Sequence, residues 1–136
     1  MNPKILLVED NAANRYLATF LLENSGFEVA HANTGAEALE QIQRNLPDLV
    51  LMDIQMPDMD GYEATRRIHA LPGTAKLPII AVTSHALSGD REKALRLGCA
   101  GYIEKPIVTE TFIAEISQFL PPAQRDRTAT LRNPNS

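Results

Sequence analysis

The middle of the chain reads Leu49-Val50-Leu51-Met52-Asp53, four apolar residues that end in an aspartate. Their number, and the absence of polar alternation, are typical of a short strand that helices cover on both faces of a parallel sheet. Two further runs share this character, Ile5-Leu6-Leu7-Val8 and Ile79-Ile80-Ala81-Val82. The sequence therefore predicts three central parallel strands.

Two weaker runs have the composition of strands at the edges of that sheet. Phe27-Glu28-Val29-Ala30 alternates polar with apolar residues, and Gly101-Tyr102-Ile103 is very short. Such segments are expected where a strand is less completely covered by helices. We place them as strands 2 and 5, one at each edge.

Segments with the apolar spacing of helices separate the strands. The first is predicted to end at Gly26, with a core-facing stripe formed by Ala13, Leu17, Phe20 and Leu21. The second opens with Thr34-Gly35-Ala36-Glu37, a capping-box spacing in which the threonine hydroxyl and the glutamate carboxylate accept from free N–H groups. Pro47 is predicted to stop this second helix.

Three more helices follow the later strands. Asp60 can cap the third, and Ser88 or Asp90 can start the fourth, which ends at Gly98 and has the weakest apolar stripe. The fifth follows Pro106 and precedes Pro121-Pro122. Its apolar residues at helical spacing are Phe112, Ile113, Ile116 and Leu120.

Five strand–helix units imply right-handed crossovers and a doubly wound α/β fold with a five-stranded parallel sheet and five helices. The flavodoxin-like strand order 2-1-3-4-5 puts the weak strands at the edges and directs ligands to the carboxyl ends of the strands. A chain of 136 residues is in the range of one domain. We expect residues 1–120 to form that domain and residues 121–136 to be a disordered C-terminal tail.

Composition argues against several classes of protein. No apolar run approaches the roughly 20 residues that span a bilayer, and the N-terminus lacks a signal-peptide pattern, so we expect a cytoplasmic protein without a membrane segment. The single cysteine, Cys99, excludes an internal disulfide. Net charge is −4, and because residues 121–136 carry +2, residues 1–120 carry −6, so direct DNA binding is not expected.

Five polar residues fall at the ends of the predicted strands. Glu9 and Asp10 follow strand 1, Asp53 ends strand 3, Thr83 ends strand 4, and Lys105 follows strand 5. Because parallel strands end at one rim of the sheet, these side chains should converge. Three carboxylates brought together repel one another, so they must take up protons or bind a cation. Mg²⁺ prefers oxygen ligands and combines one or two carboxylates with water and phosphate oxygens, which suits this cluster.

The same residue types suit one reaction. With a metal ion neutralising its neighbours, the Asp53 carboxylate can attack a phosphoryl group in line. Lys105 and Thr83 can donate hydrogen bonds to the phosphoryl oxygens as negative charge spreads over them. These residues therefore predict phosphoryl transfer to Asp53.

At these positions the chain resembles the receiver domains of response regulators, in particular those of the chemotaxis-regulator type. The resemblance covers residues 4–120. It implies that Asp53 is the phosphoacceptor, that Glu9 and Asp10 hold Mg²⁺ directly or through water, and that the Gln55 backbone carbonyl is a further ligand. It also implies that Thr83 and Lys105 contact the phosphoryl oxygens. The motifs that carry it are Val8-Glu9-Asp10-Asn11, Asp53-Ile54-Gln55-Met56-Pro57-Asp58-Met59-Asp60-Gly61, Ala81-Val82-Thr83-Ser84 and Lys105-Pro106.

The resemblance further implies a switch rather than an enzyme, one that catalyses only its own phosphorylation and dephosphorylation. The expected donor is the phosphohistidine of a sensor histidine kinase or of a histidine phosphotransfer protein. Tyr102 is the expected switch aromatic, swinging inward as the Thr83 hydroxyl moves toward the phosphate. The face formed by helix 4, strand 5 and helix 5 is expected to bind a downstream protein target, and the same face is a candidate surface for a homodimer.

Finer features follow from the same family. The segment from Leu77 to Pro106 resembles single-domain cell-cycle regulators of the DivK kind and the receivers of hybrid sensor kinases. Gln55 and His85 occupy positions that influence the lifetime of the phosphoryl group in the family, and the Lys105–Pro106 peptide is expected to be cis.

Rival functions fit the sequence less well. Glu9 and Asp10 would repel the phosphate of a flavin, and no glycine follows strand 1 as nicotinamide binding requires. A Mg²⁺-dependent phosphatase would carry its nucleophile on strand 1, whereas Asp53 lies on strand 3. A phosphorylation-independent pseudo-receiver, which uses the fold only to bind proteins, stays open as the alternative, and intact Asp10, Asp53, Thr83 and Lys105 argue against it.

Overall fold

The computed structural model describes residues 2–56, 59–83, 89–105 and 107–120. Within these ranges, five strands alternate with five helices along the chain. The strands are β1 (Lys4–Val8), β2 (Glu28–Ala32), β3 (Leu49–Asp53), β4 (Ile79–Thr83) and β5 (Gly101–Glu104). The helices are α1 (Ala12–Asn24), α2 (Gly35–Arg44), α3 (Gly61–His69), α4 (Asp90–Arg96) and α5 (Phe112–Ser117). No described helix is long and apolar enough to cross a membrane.

The strands form one parallel sheet in the order β2-β1-β3-β4-β5, which confirms the predicted fold. Their register brings the carboxyl ends level with one another. Val8 at the end of β1 is opposite Met52, Asp53 at the end of β3 is opposite Val82, and Thr83 is opposite Glu104. Residues that follow the strands therefore meet at one rim.

The core lies on both faces of the sheet, as the uninterrupted apolar strands predicted. One face packs against α2, α3 and α4, and the other packs against α1 and α5. Successive strand residues alternate between the two layers because side chains along a strand point to opposite faces. In β1, for example, Leu6 and Val8 join the first layer, and Ile5 and Leu7 join the second.

The face of α1 that packs against the sheet differs from the predicted one. Ala18 and Leu22 are buried, whereas Leu17 and Phe20 are 37% and 54% exposed and Ala13 is also exposed. The predicted stripe was therefore wrong except for Leu21, which packs against the core. The reason is that apolar residues surround this helix, so their spacing does not single out one face.

The two edge strands differ in how far they are covered. β2 is only partly covered, as predicted, although it spans Glu28–Ala32 instead of the predicted residues 27–30. β5 was expected to be incompletely covered, but Gly101, Tyr102 and Ile103 are all buried. Tyr102 belongs to the core layer on the α4 side and Ile103 to the layer on the α5 side, so packing on both faces shields this edge strand.

Helix starts follow the capping residues read from the sequence. The Thr34 hydroxyl accepts from the Glu37 N–H at 3.1 Å, and the Asp60 carboxylate accepts from the Glu63 N–H at 2.9 Å. Helix α4 starts at Asp90 after Gly89, whose φ of 87° places it in the left-handed region. Ala94 is its one buried residue, which confirms the weak apolar anchoring of α4. The alternative start at Ser88 and the predicted tail at 121–136 lie outside the described residues.

Candidate metal centre

Three carboxylates meet at the rim of the sheet. One carboxylate oxygen from each of Glu9, Asp10 and Asp53 lies within 4.8 Å of the other two. Glu9 and Asp53 are each 4% exposed, whereas Asp10 is exposed to solvent. The predicted convergence of these side chains is thus observed, and the cluster is open on the side of Asp10.

Hydrogen bonds fix the loop that carries Glu9 and Asp10. The Glu9 N–H donates to the carbonyl of Ala32 at 3.0 Å, which ties the end of β1 to the end of β2. The Asn11 N–H donates to Glu9 Oε2 at 3.2 Å. The Asn11 side chain in turn accepts from the Asn14 N–H at 3.0 Å and caps α1. The acidic pair therefore sits on a short, bonded connection between β1 and α1.

Lys105 is the cation nearest to this cluster among the described ion pairs. Its ammonium lies 2.8 Å from Glu9 Oε1 and 3.8 Å from Asp53 Oδ2, and its side chain is only 11% exposed. The Gln55 N–H adds a hydrogen bond to Asp53 Oδ1 at 3.0 Å. One ammonium against three carboxylates leaves a formal local charge of −2.

Burial and the neighbouring negative charge both act on Asp53. Burial, followed by the neighbouring Glu9 carboxylate, raises the pKa of Asp53 from 3.8 to about 7, a net value that includes the opposing effects of the Gln55 N–H and Lys105. A bound cation would remove most of this conflict because it favours the ionised carboxylate. The oxygen donors, their spacing and the unbalanced charge all fit Mg²⁺, which uses few protein carboxylates and keeps several waters.

Thr83 and Lys105 stand on neighbouring strand ends. The Lys105 N–H donates to the Thr83 carbonyl at 2.7 Å, which extends the β4–β5 ladder by one residue. Thr83 is itself buried. The structure thus places both predicted phosphoryl contacts at the same rim as Asp53. The predicted roles of His85 and of the Lys105–Pro106 peptide fall on residues outside the described ranges.

Tyr102, the predicted switch aromatic, is buried with 6% of its surface exposed. Within the described part of the chain, its hydroxyl has no hydrogen-bond partner. The Arg91 guanidinium of α4 lies 5.4 Å from the centre of its ring, at the range of a cation–π contact. The side chain is therefore on the inner side of β5, in contact with α4.

Sequence reasoning missed Arg15. Its Nη1 donates to the carbonyl of Glu9 at 3.1 Å and to the side-chain oxygen of Asn33. The signal available in the sequence was a basic residue in the first turns of the helix that follows the acidic pair. Such a residue is common on solvent-facing helices, so the sequence did not distinguish it from a surface arginine.

Comparison with known proteins gives a consistent set of likenesses. A family model described as the response regulator receiver domain matches residues 5–117. Polar-differentiation response regulator DivK from Brucella ovis is 40% identical over 120 residues, a match that covers 88% of this chain and 98% of that protein.

Solved structures agree with the sequence matches. Chemotaxis protein CheY4 from Vibrio cholerae superposes with a TM-score of 0.83 at 27% identity, over 88% of this chain and 100% of that one. The receiver domain of a sensor histidine kinase from Pseudomonas aeruginosa PAO1 superposes with a TM-score of 0.80 at 36% identity. The match covers 88% of this chain and 98% of that one. That neighbour was solved with a magnesium ion coordinated in its active-site cleft.

Proposed function

The chain belongs to the family of response regulator receiver domains, and from this membership we propose that Asp53 accepts a phosphoryl group from a partner's phosphohistidine in a Mg²⁺-dependent reaction. A receiver domain of a two-component response regulator is a phosphoacceptor switch rather than a classical enzyme. The observation that carries the proposal is the meeting of Glu9, Asp10 and Asp53 within 4.8 Å, with the Lys105 ammonium beside them.

Each side chain has a proposed role. Glu9, Asp10 and Asp53 hold Mg²⁺ directly or through water, and the Gln55 backbone carbonyl is the further ligand predicted from the sequence. The metal, when bound, supplies positive charge to the phosphoryl oxygens. The charge surplus at the rim and the raised pKa of Asp53 support this assignment.

The transfer itself is a displacement at phosphorus. An ionised Asp53 oxygen forms the new P–O bond while the P–N bond to the donor imidazole breaks and the imidazole leaves. Lys105 and Thr83 donate to the phosphoryl oxygens. Lys105 is suited to this because its ammonium already lies 3.8 Å from Asp53 Oδ2 and needs only a small shift away from Glu9. We propose that the domain also catalyses hydrolysis of its own acyl phosphate.

Signal output is proposed to run through the face formed by α4, β5 and α5. A surface groove there is lined by residues of α4, β5, α5 and the loop before α5, namely Arg91, Tyr102, Ile103, Glu104, Val108 and Glu115. Leu95 and Val108 are about half exposed nearby and offer apolar contact. A downstream protein or a second copy of the chain would bind this face. The proposed phosphodonor is a sensor histidine kinase or a histidine phosphotransfer protein. We propose that this chain acts in the cytoplasm and does not bind DNA directly.

The test is chemical phosphorylation of the metal-loaded protein. Acetyl phosphate with Mg²⁺ should add one phosphoryl group to the wild type, measured by intact-mass spectrometry, and Asp53→Asn should abolish the addition. Asp48→Asn is the matched control because Asp48 immediately precedes β3, at the opposite end of that strand. Equal responses from wild type and Asp53→Asn would overturn the proposal, and no phosphorylation of either would favour a phosphorylation-independent binding module.

A further inference from the structure

We propose that Arg15 is a positioning residue for the metal centre, because its guanidinium holds the peptide that joins Glu9 to Asp10. The inference rests on the proposed Mg²⁺ site. It assigns the affinity of that site in part to a residue that does not touch the metal.

The contacts of Arg15 explain how it acts. Nη1 donates to the Glu9 carbonyl oxygen at 3.1 Å, and this oxygen belongs to the Glu9–Asp10 peptide. On its other side, Glu9 donates its N–H to the Ala32 carbonyl at 3.0 Å. Both main-chain polar groups of Glu9 are therefore bonded. Rotation of the Glu9–Asp10 peptide would require breaking the bond to Arg15.

The far end of this link is also fixed. The same Nη1 donates to the side-chain oxygen of Asn33, in the connection between β2 and α2. The Asn33 N–H donates to Glu37 Oε2 at 2.8 Å, and the Glu37 N–H is capped by the Thr34 hydroxyl. Arg15 therefore connects α1, the end of β1 and the start of α2, and it is not a freely moving surface side chain.

Asp10 is the ligand that most needs such support. Its side chain is exposed, whereas Glu9 and Asp53 are buried and each accepts a hydrogen bond from a main-chain N–H. The direction of the Asp10 carboxylate therefore depends on the main chain that precedes it. Groups that orient metal ligands typically change metal affinity by about 10- to 100-fold when they are removed.

Charge and position predict opposite effects of removing Arg15. A cation near three carboxylates opposes Mg²⁺ binding, so losing its charge alone would tighten binding. Losing the bond to the Glu9 carbonyl would misplace Asp10 and weaken binding. The sign of the change therefore separates a positioning role from a purely electrostatic one.

The experiment is calorimetric titration of the metal-free full chain with MgCl₂. We expect Arg15→Ala to raise the Kd for Mg²⁺ about tenfold. Arg15→Lys should weaken Mg²⁺ binding almost as much, because lysine keeps the positive charge but lacks the planar guanidinium group. Asn33→Ala should cause a smaller loss of Mg²⁺ affinity. Combined with Arg15→Ala, it should lower the affinity little further. Arg44→Ala is the control, since Arg44 forms an exposed pair with Glu40 on α2.

A second readout needs no metal. Amide hydrogen exchange at Glu9 and Asp10 should be faster in Arg15→Ala than in Arg44→Ala. Thermal melting curves should first verify that both variants are folded. Unchanged or tighter Mg²⁺ binding in both Arg15 variants would overturn the inference while leaving the proposed function intact. If instead the wild type bound no Mg²⁺, or Glu9→Gln bound it equally well, the metal site itself would be refuted.

Discussion

Under the proposed function, Asp53 must satisfy two opposing requirements, since it is buried beside other carboxylates yet must be ionised to attack phosphorus. Burial and Glu9 raise its pKa to about 7 in the protein without a metal ion, whereas the Lys105 ammonium and the Gln55 N–H lower it. Near neutral pH the metal-free carboxyl is thus close to half protonated. Under the proposed function, a bound divalent cation would favour the ionised form of this carboxyl.

The first prediction concerns the pH dependence of stability without Mg²⁺. Because the folded-state pKa of Asp53 is raised from 3.8 to about 7, the folded protein keeps a proton that the unfolded chain has lost. Stability from this group is complete below pH 4 and is lost as pH rises through 7. In EDTA, the Tm of the wild type should fall by several degrees more than that of Asp53→Asn between pH 5 and pH 8. Parallel melting curves would contradict this pKa.

Mg²⁺ should reverse that loss. At pH 8 the ion should raise the Tm of the wild type more than at pH 5, because it competes with protons for the same carboxylates. Asp53→Asn should show a much smaller increase at either pH. A Mg²⁺ effect that is equal at both pH values would argue against Asp53 as a ligand.

At the scale of elements, the start of α3 is fitted closely against the end of β3. A Cβ added to Gly61 would lie 2.6 Å from the Asp53 carbonyl oxygen and 2.8 Å from Ile54 Cα. Backbone atoms cannot move aside without displacing the strand that carries Asp53. Gly35 is also confined, but its nearest neighbour, at 2.9 Å, is the flexible Met59 thioether.

We therefore expect the two glycines to respond differently to substitution. Gly61→Ala should destabilise the fold by about 1–3 kcal/mol and weaken Mg²⁺ binding, since it displaces the end of β3. Gly35→Ala should cost less because the methionine side chain can rearrange. Urea unfolding and Mg²⁺ titration of both variants would measure this, and equal costs would contradict the reasoning.

Under the proposed function, we expect the phosphodonor to contact the exposed face of α1. The helix starts two residues after Asp10, and Tyr16 and Phe20 are 73% and 54% exposed on it. Phe20→Ser should slow phosphotransfer from a protein donor about tenfold or more, yet leave acetyl phosphate phosphorylation unchanged. Leu46→Ser, which alters an exposed leucine beyond the end of α2, is the control. If phosphorylation by the protein donor and by acetyl phosphate slowed equally, the substitution would be acting on the site around Asp53 and not on binding of the protein donor.

At the scale of the whole molecule, the sheet topology unites residues that are distant in sequence. The strand order and the convergence of the acidic residues were predictable because each strand is a distinct apolar run and parallel strands end together. The inward face of α1 was not predictable, because apolar residues surround that helix. The burial of β5 depends on helices packed on both of its faces, and the role of Arg15 depends on contacts with Glu9 and Asn33 that no spacing encodes.

Tyr102 has a consequence for how such a domain responds to a signal. Its enclosed hydroxyl has no partner within the described ranges, and a buried hydroxyl that stays unpaired costs about 1–3 kcal/mol. Shifting a two-state population tenfold takes about 1.4 kcal/mol, which is a similar amount. If Tyr102 acts as the proposed switch, an outward rotamer that pairs the hydroxyl with solvent would recover an energy of the size needed to change the population.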